Sequence, residues 1–352
     1  MIPNPKFIIS KSKVLEEYNN LLKYTDIISY SVKSNPYITE ILEDNSSSQF
    51  LVHSINELDR VRDGSKIWYM IHACDTQELE ILFAKKVNSF IVDNLVDLNN
   101  LLEYIKENKQ KINLLLRMKL KENTIHTGRY FVFGLNSDII NKQILILREN
   151  KLIEKLGIHF HRKTLNLDEW SIISELEDSI LPETFKLIDL LDIGGGVPII
   201  YKNTNISSII SVYNRILELK EYVNSKNIKL IIEPGRAIAG PCAILETTIK
   251  NVIDDSIIID ASVYNCSLDT IVANVKLLVE DEVEKEDSSA NTKAYTIKGC
   301  TPCSLDIFRY RVYFDKSRKL AIGDKIRFIN AGAYIYSSDF ADLTKPKIEI
   351  RE

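Results

Sequence analysis

From Ile27 to Arg236 the sequence repeats one pattern: a short apolar run, a polar or glycine-containing turn, then apolar residues at helical spacing. Ile27 to Tyr30, Gln49 to Val52, Lys66 to Ile71, Asn88 to Val92, Ile112 to Arg117, Leu156 to Phe160, Leu190 to Ile193 and Leu230 to Ile232 read as strands. Helices are expected over Tyr37 to Leu42, Ile55 to Val61, Thr76 to Phe83, Leu95 to Ile105, around Glu169 to Leu176, and over Ile206 to Val223. A long connection follows Arg117. About eight βα units in roughly 210 residues match the rhythm and size of a (β/α)8 barrel.

Beyond Gly240 the pattern changes. Ile244 to Val252, Ser256 to Ile259, Val272 to Glu280, Lys293 to Ile297 and Lys325 to Phe328 read as strands with no helices between them, which predicts a C-terminal antiparallel β domain. The expected division is residues 24–238 for the barrel and 239–352 for the β domain. Residues 1–23 are expected to contribute a strand, Phe7 to Ile9, and the last residues to return to the barrel. The acidic run Glu280 to Ser289 reads as a solvated hairpin loop.

In such a barrel the chemistry sits where strands end and βα loops begin. Those positions hold Lys33, Ser54, His72, Asp93, Arg117, His161, Gly194 to Gly196, and Glu233 to Arg236. A lysine at the end of a core strand must be paired, neutralised or covalently used if it is buried. The alternative is that the strand surfaces and leaves Lys33 in water. The covalent option is a Schiff base with a carbonyl cofactor. Gly194-Gly195-Gly196 leads towards a helix, so its backbone N–H groups can approach an anion; a tight turn needing positive φ reads equally well. Coupled to Lys33, the glycines become a phosphate cradle for a phosphorylated aldehyde, which describes pyridoxal 5′-phosphate (PLP).

Glu233, with Pro234 stopping the strand, is placed to stabilise a protonated ring nitrogen, or to act as a helix cap or a surface acid beside Arg236. Arg236 can pair with Glu233 or reach a phosphate. His159 and His161 are two apart on a strand and share a face. They fit a metal pair, a hydrogen-bonded core pair, or an imidazole stacked on a cofactor ring; no third metal ligand at a suitable spacing presents itself.

A formal charge of −4 and the lack of a basic stripe argue against a nucleic-acid partner. No apolar stretch has membrane-spanning length, and Met1 to Lys6 lacks a secretory pattern, so a cytoplasmic protein away from membranes is expected. Five cysteines at irregular spacing suggest reduced thiols, and none has zinc-site spacing.

Together these residues resemble the fold type III PLP-dependent decarboxylases, the family of diaminopimelate, ornithine, arginine and carboxynorspermidine decarboxylases, which share an alanine racemase-like barrel. The Tyr-x-x-Lys-x-Asn motif stands as Tyr30, Lys33 and Asn35. The His-x-His strand stands as His159 and His161, and Asp-x-Gly-Gly-Gly as Asp192 and Gly194 to Gly196. Glu-Pro-Gly-Arg stands as Glu233 to Arg236, and Gly-Ala-Tyr as Gly332 to Tyr334. By that resemblance Lys33 carries the cofactor and His161 stacks on its ring. Gly194, Gly195, Gly196, Gly235 and Arg236 bind the phosphate with Tyr334, and Glu233 pairs with the ring nitrogen. Asp93 and Arg117 are looser matches to supporting positions.

Two departures stand out. Arg162-Lys163-Thr164 follow the stacking histidine, so only Thr164 replaces the family's cofactor-binding serine. The family's substrate loop, Gly-x-x-Cys-(Asp/Glu)-x-x-Asp, reads Gly299-Cys300-Thr301-Pro302-Cys303-Ser304-Leu305-Asp306, with proline at the cysteine position and Cys303 at the acid position. The resemblance implies that Cys303, or alternatively Cys300, protonates the α-carbon in a homodimer with active sites at the interface. It also implies that Asp306 and Tyr334 contact substrate. The expected reaction is decarboxylation of a diamino acid or a larger amino-acid adduct. A racemase on the same fold and a non-catalytic PLP-binding homologue are the alternatives. Racemases usually place arginine at the ring nitrogen, where this chain has Glu233.

Overall fold

The computed structural model describes residues 4–119, 133–161, 171–284, 291–336 and 338–352. The first strand is Lys6–Ser10 (β1), and eight more follow: Ile27–Ser31 (β2), Gln49–Val52 (β3), Ile67–Ile71 (β4), Ser89–Val92 (β5), Ile112–Arg117 (β6), Ile153–His159 (β7), Leu190–Asp192 (β8) and Lys229–Ile232 (β9). Strands β2 to β9 are parallel to their neighbours, and β9 pairs back onto β2, closing the barrel.

The strand period of two explains what fills the barrel and what crowns it. Leu51, Trp68, Ile91, Leu115, Leu190 and Ile231 form one buried apolar cluster, each from a different strand. Burying each such side chain contributes about 1.5–3 kcal/mol. Strand β7 meets this layer at Gly157, where a Cβ would lie 2.2 Å from the Leu190 carbonyl oxygen and 2.7 Å from Leu115 Cδ2. Two residues after five of these positions stand His53, Asp93, Arg117, Asp192 and Glu233, and two after Gly157 stands His159. The apolar plug therefore stabilises the barrel while the next layer of the same strands supplies polar side chains.

The outer helices follow from the same pattern. Asp75 and Glu78 form a capping box that starts Thr76–Ala84. Asn94 accepts from the Asp97 N–H to start Leu95–Asn108. Ile206–Asn224 buries Ile209, Val212, Ile216, Leu219 and Val223, one helical stripe. The long connection after Arg117 contains a helix, Ser137–Arg148, which buries Ile140, Ile144 and Leu147.

One compact unit comprises Tyr18–Pro198 and Ser207–Gly235 and holds the barrel. The other comprises Met1–Glu17, Ile199–Ile206 and Arg236–Glu352. Its further strands are Ala243–Ile253 (β10), Ser256–Ile259 (β11), Leu278–Val279 (β12), Thr292–Lys298 (β13), Ile307–Asp315 (β14), Lys325–Ile329 (β15) and Lys347–Arg351 (β16). They form an eight-stranded sheet with β1. Most pairings are antiparallel, as the sequence leads one to expect, but β1 with β16 and β11 with β13 are parallel.

Two details differ from expectation. Residues Val272 to Glu280 are mostly not strand: a short helix covers Asp269–Val272 and only Leu278–Val279 pairs. The last residues form β16, which lies along β1, Lys6 opposite Lys347, with Lys6 Nζ 2.7 Å from Glu349. Strand β14 has no counterpart in the sequence reading because its alternation breaks. Ile297 faces Arg309 while Tyr295 faces Val312, and Arg311 has φ 54° in this bulge. Among the described residues no helix is long and apolar enough to cross a membrane.

Candidate active site

The polar layer at the C-terminal ends of the barrel strands brings together most of the residues singled out from the sequence. At its floor, His159, Asp192 and Glu233 are buried with ligand atoms within 4.8 Å of one another. Glu233 Oε2 lies 3.4 Å from His159 Nε2 and 3.9 Å from His161 Nδ1. Burial alone would push the Glu233 carboxyl up; the two histidines outweigh it and hold the group far below the usual carboxylate range. Asp192 goes the other way. Burial, then the neighbouring Glu233 charge, push it well up, against the Gly194 N–H that donates to Asp192 Oδ1 at 2.8 Å. The two carboxyls are thus driven in opposite directions, Glu233 down and Asp192 up. Burial also lowers the pKa of His159, against the Glu233 charge and hydrogen bond.

Lys33 is not the last strand residue. Strand β2 ends at Ser31, and Lys33 sits in a 3-10 turn, Val32–Ser34. The family motif builds this turn: the Tyr30 hydroxyl donates to the Asn35 carbonyl at 2.9 Å, and Asn35 Oδ1 accepts from the Tyr37 N–H at 3.0 Å. The Lys33 side chain is open to solvent, yet the surrounding barrel wall lowers its pKa by desolvation, against the opposing charges of Glu233 and Glu57. Its Nζ lies 3.1 Å from His53 Nε2. Sequence reading placed Ser54 at the end of β3; His53 is the residue that faces the lysine. The available signal was its position two residues after the plug residue Leu51.

His72 and Asp93 directly follow β4 and β5 and contact one another at 3.2 Å, His72 exposed and Asp93 buried. Arg117 ends β6 with its guanidinium 5.4 Å from the centre of the Phe133 ring. Thr164, with Arg162 and Lys163, lies outside the described residues.

The glycines are required where they stand. Gly194 has φ +67° and Gly196 φ +87°. A Cβ on Gly194 would come within 2.8 Å of His161 Nδ1, and one on Gly195 within 2.9 Å of the Glu233 carbonyl oxygen. The Gly195 N–H donates to His161 Nδ1 at 3.3 Å, which fixes the imidazole against the turn. A Cβ on Gly235 would meet Ser34 Oγ at 1.9 Å, so this glycine lets the turn after β9 lie against the lysine turn.

The other unit carries the remaining residues. Arg236 pairs with Asp269 at 2.6 Å, donates to the Tyr201 hydroxyl at 3.0 Å, and lies 4.9 Å from the Tyr334 ring centre. Burial works against its charge, and Tyr201 and Asp269 outweigh burial. Its ion-pair partner is therefore Asp269, not Glu233. Tyr334 has φ +56°. Cys300 is exposed and Cys303 half-buried, and both line a cavity of about 540 Å³ with Lys298, Thr301 and Pro302. Asp306 is buried in its own loop. Its carboxylate accepts from the Val263 N–H at 2.9 Å and from the Thr301 N–H and hydroxyl at 3.0 and 2.7 Å. As placed, Asp306 fastens the loop.

The barrel residues fit PLP. Glu233 Oε1 is buried without a hydrogen-bond partner, the position of an acceptor for a ring N–H. The ring of His161, with 38 % of its side chain exposed, offers a flat face, and Lys33 an amine held below its ordinary pKa. A closed barrel with a cofactor-binding mouth defines the class.

The family follows from comparison. Residues 11–240 match the model of the pyridoxal-dependent decarboxylase pyridoxal-binding domain, and the chain belongs to this family, whose cofactor is PLP. It is 25 % identical over 218 residues to a diaminopimelate decarboxylase of Bacteroides thetaiotaomicron, a match covering 57 % of this chain and 53 % of the relative. The chain thus spans about half the length of that relative. Two crystal structures share the fold. A diaminopimelate decarboxylase from M. jannaschi superposes with a TM-score of 0.81 at 21 % identity, covering 98 % of this chain and 86 % of that one. A Vibrio vulnificus lysine/ornithine decarboxylase complexed with cadaverine gives 0.79 at 17 % identity, covering 99 % and 94 %.

Proposed function

We propose that this protein decarboxylates an amino acid at its α-carbon to give an amine. The observation that carries the proposal is Glu233: a buried carboxylate at the floor of the barrel mouth, 3.4 Å from His159 and held below its ordinary pKa by His159 and His161. A carboxylate stabilises a protonated ring nitrogen, where a cation would oppose it. When bound, PLP supplies the electron sink for breaking the bond to the α-carboxylate.

The residues then take the following roles. Lys33 provides the amine that holds the cofactor. Glu233 would keep a proton at the ring nitrogen, and His161 would stack on the ring. Gly194, Gly195, Gly196 and Gly235 let backbone approach the phosphate, and Arg236, Tyr334 and Thr164 are assigned to it from the family pattern. Cys303 is assigned the proton delivered to the α-carbon once carbon dioxide has left. The family pattern supports a homodimer and a diamino acid or larger adduct as substrate. The loop lacks the usual acid next to its thiol, which favours the larger adduct over ornithine or lysine.

The test is carbon dioxide release from a panel of carboxyl-labelled amino acids, run beside α-proton exchange in deuterated water. The proposal expects labelled carbon dioxide from at least one member. Proton exchange without carbon dioxide identifies a racemase. Neither signal, with PLP bound, identifies a non-catalytic homologue.

A further inference from the structure

We infer that His53 is a positioning residue for Lys33, holding its free amine ready to form and re-form the covalent link to the cofactor. The inference rests on the reading of Lys33 as the cofactor-bearing lysine.

The geometry begins at the plug. Leu51 packs in the apolar layer, and strand period two turns His53 into the barrel mouth. Its backbone N–H donates to Glu57 Oε2 at 2.7 Å, which fixes the start of the turn after β3. The imidazole then presents Nε2 to Lys33 Nζ at 3.1 Å. Its Nδ1 is buried with no hydrogen bond and lies 3.8 Å from Glu57 Oε2.

An ammonium has donors only, so opposite protonated Lys33 the Nε2 atom must accept. The ring proton then sits on Nδ1, on the side of the Glu57 carboxylate. Opposite a neutral amine the other tautomer serves: Nε2–H donates to the lysine lone pair. A neutral imidazole can therefore meet Lys33 in both protonation states. A carboxylate in its place would hold the ammonium charged, and an alanine would leave it to water.

The ring stays neutral. Burial first, then the Lys33 charge and the two histidines His161 and His159, lower the His53 pKa to about 3, against Glu233. The charged groups around Lys33 itself are Glu233 and Glu57, which favour its ammonium, and Arg117, which opposes it. Beside these charged groups, His53 makes the hydrogen-bond contact to the Lys33 amine.

The experiment separates the covalent step from binding. Cofactor-free protein is mixed with PLP, and the rate of covalent capture is followed by absorbance across pH 6 to about 10, spanning the ordinary histidine and lysine ranges. The affinity of 4′-deoxypyridoxine 5′-phosphate, which lacks the aldehyde, is measured in parallel. His53→Ala is expected to slow capture about tenfold at neutral pH, the worth of one hydrogen bond, with analogue affinity within about twofold. His53→Gln, which keeps an acceptor and a donor, recovers most of the rate. His53→Asp moves the pH midpoint of capture up by about one unit, since a carboxylate favours the ammonium. The inference is overturned if His53→Ala and His53→Asp keep the wild-type rate and midpoint. Analogue affinity falling in step with capture also overturns it, because that is a general loss of the site. If wild-type protein captures PLP on a lysine other than Lys33, the underlying reading fails first, and this inference with it.

Discussion

His159 Nε2 lies 3.4 Å from Glu233 Oε2, both side chains all but sealed from solvent. This contact helps hold the Glu233 carboxyl below its ordinary pKa. Asp192, bonded to the Gly194 N–H but beside Glu233, is pushed the other way by burial and by the Glu233 charge. The consequence for function is a buried carboxylate held below its ordinary pKa, the kind of group that accepts from a ring N–H.

Removing that charge while keeping the shape isolates its role. Glu233→Gln is expected to lower kcat about 10²–10³-fold, the usual cost of losing one preorganised electrostatic partner. Cofactor affinity should change much less, because the phosphate end is untouched. Steady-state kinetics and a PLP titration on the same preparation check both.

Asp192 makes the opposite pH prediction. Its folded pKa lies above its unfolded value, so the folded state binds more protons and loses stability as pH rises from the unfolded pKa towards the folded one. Asp192→Asn keeps an oxygen for the Gly194 N–H and removes the titration. The variant should match wild type at pH ~3, below the ordinary aspartate value, and exceed it in stability at pH ~8. Urea unfolding of cofactor-free protein at the two pH values tests the sign.

Gly157→Ala tests the packing that places this layer. A Cβ there would sit 2.2 Å from the Leu190 carbonyl, backbone that can yield only by parting β7 from β8. A loss of about 1–3 kcal/mol or more is expected, as for overpacking of a tight core. Denaturant titration measures it.

The thiols divide sharply by position. Cys74, Cys242 and Cys266 are buried, and burial pushes Cys74 and Cys242 up to about 12 and Cys266 higher still. Cys300 and Cys303 reach the surface of their loop. In native protein a disulfide reagent should label these two rapidly and the other three only on unfolding. Peptide mapping after a short pulse gives the answer.

How much of this was legible in sequence varies with how local the cause is. The barrel follows from period-two strands alternating with helical stripes, and each strand end was readable to within a residue or two. Lys33 itself fell two residues beyond its strand, because Tyr30 and Asn35 build a turn there. His53 was readable from Leu51 by the same alternation, but Ser54 drew attention as a turn former. The helix Ser137–Arg148 shows a clear stripe of Ile140, Ile144 and Leu147 inside what read as a connection. The Arg236–Asp269 pair had no local signal at all: it joins segments 33 residues apart through tertiary packing. The same holds for Asp306, whose carboxylate is consumed by Val263 and Thr301.

The most direct test of the account is borohydride reduction of the PLP-loaded protein, followed by mass spectrometry of the peptide that contains Lys33. The account predicts a pyridoxyl label on Lys33 and on no other lysine. A label on a different lysine, or none on a protein that carries bound PLP, would contradict it.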